Sequence, residues 1–122
     1  MVSNAGIIKL SPAENYSMED FDAVMDLNLR ALFCLTRVIA KQMIVMGHDK
    51  IINTCSVQFV KGGSGDAAYA ASKHAVYGLT RAWANEWGRP EDLMGPVAFL
   101  ASAASNYING HMLVADGGYL NA

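Results

Sequence analysis

Cysteine is scarce in this sequence. Cys34 and Cys55 are the only two, and neither stands in CxxC or Cys/His ligand spacing. That argues against a structural zinc site and fits a reduced, cytoplasmic setting. Charge is also sparse, at 16% of 122 residues against 52% apolar, which excludes a disordered chain. Neither sign dominates: nine basic and eleven acidic side chains leave a net charge of −2. A surface for nucleic acid or anionic lipid is therefore not expected. No apolar run reaches the ~18 residues of a membrane span, because Arg30, Arg37 and Lys41 interrupt the greasiest stretch. The segment Met1 to Leu10 lacks a basic stretch followed by an apolar one, so it does not read as a signal peptide. His48, His74 and His111 are scattered without ligand spacing, leaving exposed or capping roles and no metal.

What is present alternates in period. Met1 and Val2 read as the end of a strand, broken at Ser3-Asn4-Ala5-Gly6. Ser17 with Asp20 three residues on resembles a capping box. From Phe21 the apolar residues recur at helical spacing to Ile44, and Gly47 is placed to end that helix. The run Ile51-Ile52-Asn53-Thr54-Cys55-Ser56 reads as a short buried strand. Gly62-Gly63-Ser64-Gly65 is a loop, and Asp66 opens an alanine-rich helix to about Trp87. Pro90 starts a further helix through Leu100. His111 to Ala115 reads as a last strand and Asp116-Gly117-Gly118 as a turn. Strand, helix, strand, helix, helix, strand is an α/β pattern, most simply a parallel sheet covered by helices.

Three polar side chains stand out against this apolar frame. Tyr69 and Lys73, at i and i+4, share one helix face, and Ser56 ends the preceding strand. A phenol is a poor base at neutral pH. Bringing one from ~10 to ~7 takes ~4 kcal/mol, roughly what an ammonium ~4 Å away supplies at an effective dielectric of ~20. Lys73 would thus make Tyr69 a general acid/base while Ser56 polarises a carbonyl or hydroxyl. On its own, a Tyr and a Lys four apart on a helix is also a chance pairing on a solvated face.

The surroundings weigh on that choice. Asn4-Ala5-Gly6, Asn28, Ser56, Tyr69-Ala70-Ala71-Ser72-Lys73 and Asp116-Gly117-Gly118 occur in an order that resembles the short-chain dehydrogenase/reductase family. The resemblance runs through two blocks, residues 1–87 and 88–122, of one incomplete domain. It implies a partial Rossmann-like doubly wound parallel sheet flanked by helices. It also implies an NAD(P)-dependent oxidoreductase interconverting a secondary alcohol and a ketone, with a sugar acid as the first substrate class. By the same resemblance Tyr69 exchanges the proton, Lys73 assists it and holds the nicotinamide ribose, Ser56 orients the substrate, and Asn28 holds a water leading to Lys73. Asn4, Ala5 and Gly6 would line the cofactor's path together with Tyr69 and Lys73. Read from the residues alone, Asn28 equally suits a helix N-cap between two consecutive helices, and Asn4-Ala5-Gly6 a simple turn. Ser3 and Thr54-Cys55 depart from the residues usual in the family, and Cys55 reads as packed on the sheet. A homodimer or homotetramer is the implied assembly.

A second glycine pattern competes for the cofactor. Gly63-Ser64-Gly65-Asp66-Ala67-Ala68 has the form G-x-G-x-x-A, follows a strand and opens a helix. Asp66, however, sets a negative charge where a pyrophosphate would sit, and Glu86 lies within a helix. A loop shaping the substrate mouth is the expected role. The family's glycine-rich first turn and its early strands have no counterpart here, a shortfall of about 90 residues at ~30 per βα unit. A second missing segment is expected near Trp87-Gly88. NAD or NADP preference, reaction direction and the substrate itself are hidden with those segments. The rival expectation is a non-catalytic fragment that acts only as an oligomerisation or interaction module.

Overall fold

The computed structural model describes residues 1–47, 50–87, 94–109 and 113. They belong to two compact units, Met1–Thr80 and Arg81–Ala122.

In the first unit β1 (Val2–Ser3) and β2 (Ile52–Asn53) pair in parallel, with Val2 opposite Ile52 and Ser3 opposite Asn53. Backbone bonds from Ile52 N–H to the Met1 carbonyl and from Thr54 N–H to the Ser3 carbonyl, both 2.9 Å, close the ends of the pair. Parallel strands need a long crossover. Here it is helical: α1 (Met18–Met25), a π-helical segment (Asp26–Ala31) and α2 (Leu32–Met46). The expected α/β arrangement with parallel strands is thus present. The second strand is shorter than the Ile51–Ser56 run suggests, because its partner β1 ends at Ser3. Beyond it, a short helix α3 (Gln58–Lys61), which periodicity does not announce, fills the span to the glycine loop.

The local signals at the helix ends hold. Ser17 Oγ accepts the Asp20 N–H at 3.1 Å, capping α1. Gly47 ends α2 at φ +75°, a left-handed conformation that costs a glycine little. The single helix expected from Phe21 to Ile44 is instead three segments. Its buried positions are Val24, Asn28, Leu32, Thr36 and Ala40, spaced by four throughout. A row spaced by four drifts around a helix of 3.6 residues per turn. A wider π turn in the middle reduces that drift and keeps the row facing inward. On α4 (Ala67–Trp87) the inward positions are Ala68, Ser72, Lys73 and Val76.

In the second unit Trp83 and Trp87 stack one turn apart, ring centroids 5.7 Å and planes 6° apart. Helix α5 spans Met94–Leu100, and Ser102 caps a short turn of 3-10 helix at Ala103–Ser105. The expected helix start at Pro90, the strand His111–Ala115 (Leu113 apart), the turn Asp116-Gly117-Gly118, His48 and His111 lie outside the described residues. Among the described residues no helix is long and apolar enough to cross a membrane.

Candidate active site

Asn28 occupies the π-helical segment and is 2% exposed. The turn widens there, so its carboxamide reaches the chain leaving β1 instead of its own helix. Oδ1 accepts the Ile7 N–H at 2.8 Å, and Nδ2 donates to the Ile7 carbonyl at 2.9 Å and to Ser72 Oγ at 3.1 Å. The N-cap alternative for Asn28 is overturned: the residue lies inside a helical segment, and its side chain satisfies a neighbouring loop. An amide suits the position because it offers a donor and an acceptor to the two groups of one residue.

Lys73 is 5% exposed, in the second turn of α4. Its ammonium donates to the Thr54 carbonyl at 2.8 Å and lies 5.6 Å from the centre of the Tyr69 ring. That bond ties the helix to the chain just past β2, and the Cys55 thiol adds a weak contact to the Lys73 carbonyl at 3.4 Å. Cys55 is half-buried and Cys34 exposed; both are free thiols. Tyr69 is half-buried one turn before Lys73, as the i, i+4 spacing requires. Ser56, also half-buried, accepts the Gln58 N–H at 3.2 Å in a local turn. Its hydroxyl proton is left to point elsewhere.

The turn Asn4-Ala5-Gly6 is exposed, and Asn4 Oδ1 accepts the Thr54 hydroxyl at 3.0 Å. Gly6 lies beside the polar group. A Cβ there would stand 3.3 Å from Asn28 Oδ1 and 3.7 Å from Lys73 Nζ. Asn28, Lys73 and the exposed turn therefore border one point, and Ser56 follows Thr54, on whose carbonyl Lys73 rests, by two residues. The second glycine pattern behaves differently. Asp66, 2% exposed, takes the Gly63 N–H on Oδ1 at 2.8 Å, so the loop's amide is spent on the protein's own carboxylate and offers no phosphate cradle. His74 is exposed on α4, its Nδ1 2.9 Å from the Ala70 carbonyl. Among the described residues no group of three or more His, Cys, Asp or Glu side chains could hold a metal ion.

Thr54 and Ser72 escaped the residue-by-residue reading. Thr54 contributes its carbonyl, which no side-chain pattern reports. Ser72 was legible in principle: Tyr69, Ser72, Lys73 and Val76 fall at i, i+3, i+4 and i+7, one face of one helix.

Residues 1–91 match the family described as short chain dehydrogenase. A 2-dehydro-3-deoxy-D-gluconate 5-dehydrogenase of Bacillus subtilis is 36% identical, the match covering 99% of this chain and 64% of that protein. An uncharacterized oxidoreductase of Escherichia coli is 38% identical over 98% of this chain and 62% of its own length. Among solved structures, a gluconate 5-dehydrogenase from Burkholderia cenocepacia in complex with NADP and tartrate superposes with a TM-score of 0.66 at 32% identity, over 99% of this chain and 64% of that one. The likeness identifies the parallel pair and its helices as part of a Rossmann-like α/β fold. The chain spans a little under two thirds of the length of these relatives. The Bacillus match extends over 163 aligned positions against the 122 residues here, so residues of that relative within the match have no counterpart in this chain.

Proposed function

This chain belongs to the short-chain dehydrogenase family, and from that premise we propose that it carries the proton-transfer half of an NAD(P)-dependent oxidoreductase interconverting a secondary alcohol and a ketone, with Tyr69 as general acid/base. The Lys73 ammonium 5.6 Å from the Tyr69 ring is the observation that supports this most directly. A cation there stabilises negative charge developing on the phenol, so Tyr69 can take the proton of a substrate hydroxyl and return it to a carbonyl. The Ser56 proton, free of its local turn, would donate to the same substrate oxygen. Asn28 would order a water beside Lys73 through the lone pair that Ile7 leaves on Oδ1.

A bound nicotinamide would accept or supply the hydride. The residues present fit its ribose end: Lys73 keeps donors beyond the one given to Thr54, and Gly6, beside the ammonium, carries no side chain of its own. Asn4, Ala5, Gly6, Tyr69 and Lys73 would hold that end. A pyrophosphate finds no cradle among the described residues, since the Gly63 amide is bonded to Asp66. Sugar acids are the proposed substrate class, on the names of the Bacillus and Burkholderia relatives.

A second reading has its own support. Leu35, Val38, Ile44 and Val45 of α2 are exposed, Val45 at 84%, as they would be on a face that associates. The test is to titrate the chain with NAD⁺ and NADP⁺ by calorimetry and to follow D-gluconate oxidation by nicotinamide absorbance. Binding heat with turnover, and a loss of about 10²-fold or more in Tyr69→Phe, is the expected result. No heat and no turnover, with self-association in sedimentation, would leave the module reading.

A further inference from the structure

Ser72 is fully buried, and the proposed reaction makes no use of it. A serine hydroxyl has one proton. Here the proton goes to the Tyr69 carbonyl, 2.7 Å away and three residues back. Such back-bonding is ordinary in helices. The second bond is not local: with its proton committed, Ser72 can only accept, and it accepts Asn28 Nδ2 from 44 positions earlier in the chain. The donor end of the Asn28 amide is thereby held by two acceptors, Ser72 Oγ and the Ile7 carbonyl. The opposite end, Oδ1, borders the same point beside Gly6 as Lys73 Nζ.

We propose that Ser72 is a positioning residue: it fixes the Asn28 amide with its oxygen on the Lys73 side and pins the Tyr69–Lys73 turn of α4 to the π-helical segment. The inference deepens the proposed function and rests on that reading of Tyr69 and Lys73. Losing the hydroxyl frees one Nδ2 proton and leaves the amide held by Ile7 alone. The acceptor beside Lys73 is then less constrained, and the helix turn that bears both residues loses its side-chain tie to Asn28.

The test has two readouts. By NMR of the chain, the Asn28 side-chain amide protons of Ser72→Ala should exchange about tenfold faster and shift from their wild-type positions. In turnover, Ser72→Ala should lower kcat about tenfold with KM within about twofold and displace the pH profile. In an Asn28→Ala background the same change should have no further effect, because Ser72 acts through Asn28. Should Ser72→Ala not fold, Ser72→Cys fills the space with a weaker acceptor and should give the same amide shift. Wild-type amide exchange together with a wild-type pH profile overturns the proposal, as does an equal kcat loss in both backgrounds. If Tyr69→Phe turns over normally, or the wild-type chain does not turn over at all, the catalytic reading fails instead, and the amide exchange alone decides whether Ser72 orients Asn28.

Discussion

The ammonium of Lys73 donates to the carbonyl of Thr54, so a buried cation on α4 is anchored to the backbone two residues before Ser56. Helix and strand end thus share one fixed positive charge. A compact ammonium with rotatable donors suits this role, because it can keep that bond while offering its remaining protons elsewhere.

Replacing Lys73 with arginine should therefore not rescue function. A planar guanidinium cannot stand in the space of a point donor between the Thr54 carbonyl and the Tyr69 ring. Turnover in Lys73→Arg is expected to fall by about 10²-fold or more, comparable with Lys73→Met, as measured by initial rates.

Asn28→Leu keeps the branched shape of the side chain and removes its polar ends. The Ile7 N–H and carbonyl and Ser72 Oγ each lose a partner in a part-buried site. A loss of about 2–4 kcal/mol in urea unfolding is expected, with the Ile7 amide among the sites whose hydrogen exchange accelerates most.

Gly6→Ala should destabilise. The new methyl would stand 3.3 Å from Asn28 Oδ1, an atom that cannot withdraw without releasing the Ile7 N–H. About 1–3 kcal/mol is expected from crowding, read from the shift in denaturation midpoint. An unchanged midpoint would mean that the turn relaxes away from Asn28.

Thr36→Val should go the other way. Thr36 is fully buried on α2, and its Oγ1 has no hydrogen-bond partner among the described residues. Valine has nearly the same shape and helix propensity without an unpaired hydroxyl. Thermal unfolding should show a gain of about 1 kcal/mol.

Much of the frame was legible because its causes are local. Ser17 caps α1 through a bond to Asp20, three residues away, and Gly47 ends α2 in a conformation that glycine adopts at little cost. The face bearing Tyr69 and Lys73 follows from helical spacing alone. The limits of β2 and the existence of α3 were not legible, since strand length depends on what the partner strand offers and short helices carry little periodic signal. The first turn of the candidate cofactor pattern at Gly63 was readable as a decoy from Asp66, and in the structure that carboxylate is bonded to an amide of the loop itself.

The sequence by itself determined the α/β alternation from β1 through α4 and the shared face of Tyr69 and Lys73, because propensity, capping and period act over a few residues. Only the tertiary structure decided what Asn28 does. Its bonds reach Ile7, 21 positions away, and Ser72, 44 positions away. It also decided that Lys73 rests on Thr54. Those partners are far apart in the chain, and three of the four bonds go to backbone atoms, at Ile7 and Thr54, so no residue type announces them.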